Sequence, residues 1–185
     1  MDYILAFTGA GISKASGIPT FKDIPGLKDK LDVGYKAEHP EEYAQAILMM
    51  KDTMRGKKPN AAHLALAKYK VPVITMNIDG LHQKAGSETV IECHGNLEDG
   101  TVVLYGQEAF YDKAFALLKE KTQYANEHHM RKVLLVVGTS YETQFANAFV
   151  QKAMYLGWAL AEVNNDAERR LPPFLKQEFE QFGTN

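Results

Sequence analysis

The stretch Tyr3-Ile4-Leu5-Ala6-Phe7-Thr8-Gly9-Ala10-Gly11-Ile12-Ser13 decides the fold. An apolar strand, Tyr3–Thr8, runs straight into two glycines and then into a segment able to start a helix. Such a turn is a place to set a phosphate. The glycines let the backbone approach a ligand closely, and a helix N-terminus offers unpaired N–H groups and a partial positive charge. The strand starts within the first few residues, so it is expected to open the first βα unit of a sheet.

Moving outward, short apolar runs recur with helical stretches between them. Strands are expected at Val71–Met76, Thr89–Cys93, Thr101–Tyr105, Val133–Val137 and Trp158–Val163. Helices are expected at Glu41–Met54, Ala61–Lys68, Glu108–Thr122 and Glu142–Leu156. Runs such as Val133-Leu134-Leu135-Val136-Val137 suit strands covered on both faces. The alternation predicts an α/β fold, a mostly parallel sheet with helices on both faces. Gly9, Asn77, His94 and Gly138 each follow a strand candidate at once. They are expected to gather at the carboxyl edge, where such sheets bind ligands. Residues 23–58 break the alternation and predict a small helical insertion, or lid, within a single domain spanning 1–185. Leu171-Pro172-Pro173 and a short helix after it are expected to pack at the end of the chain.

Composition bounds the rest. With 185 residues, 45% of them hydrophobic, the chain can bury a real core. The charge is close to balanced, 21 basic against 23 acidic residues, which argues against nucleic acid and membrane surfaces as partners. No apolar run approaches the ~20 residues a membrane span needs. The immediate entry into a strand leaves no room for a signal peptide, so a cytoplasmic location is expected. A single cysteine, Cys93, allows neither an internal disulfide nor a cysteine zinc site.

The first turn alone is a weak signal. Lys14 stands where the dinucleotide fingerprint has its third glycine. The continuation Ser13-Lys14-Ala15-Ser16-Gly17-Ile18-Pro19-Thr20-Phe21-Lys22 adds two serines and a cation. Asn77 and Asp79 suit a helix N-cap after a strand, and equally suit gripping an amide or stabilising developing positive charge. His94 titrates near neutrality and is the candidate general base. His82 is expected to pack or cap, and His128 and His129 to face solvent. Cys93 should point away from His94, because neighbouring strand residues face opposite sides.

Taken whole, the first block resembles the signature of the sirtuins, NAD-dependent protein deacylases. Further blocks match in the family's order. They are Thr75-Met76-Asn77-Ile78-Asp79-Gly80-Leu81-His82 with Ala85-Gly86-Ser87, then His94-Gly95-Asn96, then Gly138-Thr139-Ser140 with Val163-Asn164. Pro59-Asn60-Ala61-Ala62-His63 and Val102-Val103-Leu104-Tyr105-Gly106-Gln107 are weaker echoes. The resemblance spans about residues 4–165. It implies a Rossmann-like sheet and NAD bound by Gly9, Ala10, Gly11, Ser13, Phe21, Lys22, Asn77, Ile78, Asp79, Gly138, Thr139, Ser140 and Asn164. It further implies catalysis by His94, Asn77 and Asp79, and an acylated-lysine peptide or protein held by Val103, Tyr105 and Gly106. In that chemistry the acyl oxygen attacks the ribose carbon as nicotinamide leaves, and His94 activates the ribose hydroxyl that takes over the acyl group.

The chain also departs from the family. Only Leu97-Glu98-Asp99-Gly100 stands where many members carry a four-cysteine zinc ribbon, so no metal is expected. Lys22 replaces an Arg, and a point charge cannot reproduce a bidentate fork. Met76 replaces Gln, Gln107 replaces Glu, and Thr143 and Phe145 replace Val and Pro. The altered segments are those that clamp a substrate peptide as an added strand. The expected activity is lysine deacylation. NAD hydrolysis, ADP-ribosyl transfer and a non-catalytic NAD- or ADP-ribose-binding module are the alternatives.

Overall fold

A computed structural model describes residues 2–20, 23–104, 107, 109–141 and 143–180. Five strands form one sheet: β1 (Asp2–Thr8), β2 (Val73–Thr75), β3 (Val90–Glu92), β4 (Arg131–Val137) and β5 (Ala159–Val163), in the order β3-β2-β1-β4-β5. Every pairing is parallel. The central pair is the longest, β1 matching β4 from Asp2–Arg131 to Thr8–Val137. Helices connect the strands: α1 (Leu27–Lys30), α2 (Val33–Glu38), α3 (Pro40–Met54), α4 (Ala61–Lys68), α5 (Leu81–Lys84), α6 (Tyr111–Glu127), α7 (Gln144–Tyr155) and α8 (Ala167–Glu180).

The two-residue period of a strand splits the core. Ile4 and Ala6 of β1, with Val133, Leu135 and Val137 of β4, face the layer of α4 and α8. Leu5 and Phe7, with Leu134 and Val136, face the layer of α6 and α7. Both faces are covered, which is why β4 reads as an unbroken apolar run. A third cluster joins Leu27, Leu31, Ala46 and Met50 of the helical segment to Ile78, Leu97 and Leu104 beyond the strand ends.

The expected elements hold with three differences. Thr101–Leu104 form no strand; they lie against the turn after β3 through Thr101 N–H to Asn96 O (3.1 Å) and Val103 N–H to His94 O (3.0 Å). α6 starts later and runs to Glu127, where Thr122 Oγ1 accepts a 2.8 Å hydrogen bond from the Trp158 indole. α8 begins before Pro172-Pro173 and runs through them. Each proline removes a backbone donor, yet Leu171 and Leu175 are fully buried on either side of the pair, and their burial outweighs the lost bonds. Among the described residues no helix is long and apolar enough to cross a membrane.

Candidate active site

Sheet order reverses between β1 and β4: the chain leaves β1 for β2 on one side and reaches β4 on the other. A crevice opens at such a point. Here the two loops that leave the strands interlock. Gly9 N–H donates to Val137 O (3.0 Å) and Gly11 N–H to Gly138 O (3.0 Å). A Cβ on Gly11 would lie 2.6 Å from Gly138 Cα, and one on Gly138 would lie 2.3 Å from Ile12 N. Gly138 also sits at φ +64°, in the left-handed region. This corrects the reading of the first turn. The segment Ala10–Ser16 is a 3-10 helix, and the N–H groups of Gly9 and Gly11 are taken up by the β4 side. The close approach of the two backbones by itself requires glycine at these positions.

Around this junction sit other expected contacts. Thr139 N–H donates to Asn164 Oδ1 (3.1 Å), tying the β4 loop to the end of β5. Thr139 Oγ1 is buried and has no partner among the described residues. Ser140 is exposed. An orphaned hydroxyl at the switch point fits a hydrogen-bonding ligand laid across the loops, as a dinucleotide would be.

The first and second blocks meet in a buried polar cluster. The Ser13 hydroxyl donates to Asp79 Oδ2 (2.7 Å) and accepts from Asn77 Nδ2 (3.1 Å). His63 Nε2 lies 3.5 Å from the same oxygen, while His63 Nδ1 accepts from Asn60 N–H (3.4 Å). That acceptor role at Nδ1 leaves Nε2 as the protonated nitrogen of a neutral ring. Ser13 then has its one donor and both acceptor sites engaged. Asp79 Oδ1 accepts from Leu81 N–H (3.0 Å) at the start of α5, so the capping role and the functional role coexist in one side chain. Behind this cluster His82 Nε2 lies 3.0 Å from Thr8 Oγ1, and the His63 and His82 rings are 4.9 Å apart. Burial holds His63 down to about 4, against the pull of the Asp79 charge, and His82 down to about 3. His82 packs as expected, and neither ring carries charge at neutral pH.

A cleft open to solvent lies over Ala10, Ser13, Asn77, Ile78 and Asp79. Its other wall comes from Ile24, Leu27, Met50 and Met54 of the helical segment, as a lid would be placed. Polar groups on one side and apolar ones on the other suit a flat aromatic amide.

His94 follows β3. Gly95 beside it has φ +74°, and a Cβ there would sit 1.9 Å from Thr101 O, so only glycine fits. Asn96 fixes the turn: its Nδ2 donates to Glu92 Oε1 (2.8 Å), and its Oδ1 accepts from Glu98 N–H (2.9 Å). Val103 meets the His94 backbone, as described above. The His94 ring is half-buried and stands edge-to-face on Tyr111, 5.6 Å between centroids. Burial lowers its pKa below the ordinary imidazole value. Cys93 points the other way into the apolar layer with Leu5, Phe7 and Ile74, its thiol pushed up to about 12 by burial. A buried neutral thiol and one cysteine do not fit a four-cysteine zinc site. Among the described residues no group of three or more His, Cys, Asp or Glu could hold a metal ion.

Phe21, Lys22, Tyr105 and Gly106 lie outside the described residues. Asn60 and His63 stand in the sequence only within a weaker echo, and Tyr111 was not singled out. The Asn60-x-x-His63 spacing is a helix-capping pattern and was the available signal for the first pair. Tyr111 had none.

Comparisons agree with this geometry. The Sir2 family model matches residues 9–123. An NAD-dependent protein deacylase of Thermococcus sibiricus is 42% identical over 107 residues, covering 51% of this chain and 42% of that protein. One of Thermus thermophilus is 32% identical over 206 residues, covering 87% of this chain and 78% of the relative. The chain spans less than half the length of several curated relatives it matches. A Sir2 homologue solved with ADP-ribose superposes with a TM-score of 0.83 at 23% identity over 99% of this chain and 95% of that one, a likeness of fold. A Sir2 solved with a p53 peptide and NAD+ gives 0.75 at 26% over 96% and 92%. With a parallel five-stranded sheet, the interlocked glycine loops and this match over most of its length, the chain belongs to the Sir2 family.

Proposed function

We propose that the protein is an NAD-dependent lysine deacylase. It cleaves the nicotinamide–ribose bond and passes the acyl group of an acylated lysine to ADP-ribose. The observation that carries this reading is a neutral, half-buried His94 at the same sheet edge as the Ser13–Asn77–Asp79 cluster. A binding module needs no base there. The names of the relatives, NAD-dependent protein deacylases and deacetylases, support it.

NAD supplies the ribose carbon to which the acyl oxygen adds as nicotinamide departs. Asn77 and Asp79 hold the carboxamide side, with Ser13 fixing the Asp79 carboxylate next to the developing positive charge. The Thr139 hydroxyl and Asn164 serve the ribose and adenine side. His94 accepts the ribose hydroxyl proton, and its lowered pKa keeps it unprotonated at physiological pH. Val103 borders the acyl-lysine channel in this reading. Activity without zinc, and a cytoplasmic setting, belong to the same proposal; the single buried cysteine and balanced charge support them.

One observation favours NAD hydrolysis as a second reading: Thr101–Leu104, which would pair with a peptide, form no strand. Nicotinamide release by the purified protein, with and without an acetyl-lysine peptide, decides. Release that needs the peptide supports deacylation. Release without it assigns hydrolysis or ADP-ribosyl transfer, and no release in either case refutes catalysis on these substrates.

A further inference from the structure

Among the described residues no side-chain hydrogen bond fixes the His94 imidazole, in contrast to His63 and His82, each tied by a ring nitrogen. A base must nevertheless present one nitrogen to a hydroxyl within hydrogen-bond reach. The ring contact it does have is with Tyr111, at 5.6 Å and 88°. Tyr111 in turn lies flat on Phe145, with centroids 3.9 Å apart and planes within 7°. Phe145 is itself held: it is buried and meets Phe7 of β1 edge-on at 6.0 Å and Phe115 of α6 at 5.8 Å. It sits in the first turn of α7, capped by Thr143, whose Oγ1 accepts from Ala146 N–H at 3.1 Å. Aromatic pairs in these geometries are directional, so a fixed ring orients its neighbour.

We propose that Tyr111 is the positioning residue for the base. Held on Phe145, its ring sets the plane of the His94 imidazole and shields one flank of it from water. The chain of contacts begins at the loop that follows β4, so the segment expected to meet the nucleotide also supports the base. Of the titratable groups among the described residues, Tyr111 is the one in ring contact with His94, and burial alone lowers the His94 pKa, with no contribution from a charge. The proposal rests on His94 being the base.

The test has two readouts. In the nucleotide-free protein, the His94 ring resonances, assigned with His94→Asn, are followed by NMR against pH. Tyr111→Leu is expected to move the midpoint up toward the ordinary 6.5, and Tyr111→Phe to restore the wild-type midpoint. In peptide-dependent nicotinamide release, Tyr111→Leu is expected to lower kcat about tenfold with little change in the KM for NAD, and Tyr111→Phe to recover it. If Tyr111→Leu does not fold, Tyr111→Met fills the space without a flat ring and carries both readouts. A folded Leu or Met variant with unchanged midpoint and kcat overturns the proposal. So does a Phe variant that behaves like the Leu variant, since the ring would then not be the agent. If wild-type protein releases no nicotinamide, a moved midpoint still supports the positioning role while the deacylase reading fails.

Discussion

The two sides of the cleft hold their key side chains in opposite ways. On the β1–β2 side, Ser13, Asn77, Asp79 and His63 are held by hydrogen bonds that meet around the Ser13 hydroxyl and the Asp79 carboxylate. On the β3 side, the His94 ring meets Tyr111, which is itself stacked on Phe145. A network of hydrogen bonds fails when one member leaves a partner unsatisfied in a buried place. A packed wall fails gradually, because a neighbouring apolar group can fill part of the gap. The first arrangement gives rigidly held polar groups, and the second a ring whose lowered pKa depends on being kept dry.

The sharpest way to break the comparison is at the base. His94→Ala is expected to reduce peptide-dependent nicotinamide release about a hundredfold to ten-thousandfold, with NAD affinity by calorimetry little changed. Full turnover in that variant would remove His94 from the mechanism. Next in size is acid sensitivity. His63 and His82 have folded-state values depressed to about 4 and about 3, below their ordinary 6.5. Their contribution is therefore complete above pH 6.5 and is lost as pH falls through the lowered values. A loss on the order of 3 kcal/mol from each ring is expected on going from neutral pH to about 4, measured as a falling urea midpoint. His82→Gln should flatten that slope, and an unchanged slope would place the acid-sensitive groups elsewhere.

Gly11→Val would push a Cβ to 2.6 Å from Gly138 Cα. It is expected to cost about 2 kcal/mol in thermal or urea unfolding and to weaken NAD binding by parting the loops. Unchanged stability would mean that the junction is looser than its contacts imply. Ser13→Ala takes a donor from Asp79 and an acceptor from Asn77; about 1–2 kcal/mol of stability should go with it. The smallest effect belongs to the exposed ion pair Lys84–Glu98, 2.5 Å, which ties α5 to the short turn standing where a zinc ribbon would be. Lys84→Ala should cost about 0.5 kcal/mol or less, and a larger loss would mark this turn as a structural staple.

The polar side was legible in the sequence because its residues must be of particular types at particular spacings. A strand followed by Asn77-Ile78-Asp79, or by Gly9-Ala10-Gly11-Ile12-Ser13, announces itself. Even so, the contact of Gly9 and Gly11 with the loop after β4 was not legible, since nothing local says that another loop will cross them. The sheet was legible for the same reason as Val133–Val137: two-sided burial writes continuous apolar runs. Thr101–Leu104 carried the same kind of run without a neighbouring strand to receive it. The wall behind His94 was not legible at all. Any flat ring could occupy position 111, and only the tertiary meeting of α6 with α7 gives it a task. α8 shows the converse, where burial of Leu171 and Leu175 overrides what two prolines predict locally.

The pairing of β1 with β4 joins residues 2–8 to residues 131–137, and the interlocked glycine loops lie at the end of that same pair. Contacts this distant along the chain carry a large closure cost and form late. On the ribosome, β1 must wait until β4 has been made before its central partner exists. During synthesis the first strand therefore has β2 alone as a hydrogen-bonded strand neighbour until β4 is made. The crevice between β1 and β4 is completed only after β4 has been made, and its two glycine loops cannot interlock before most of the chain has emerged.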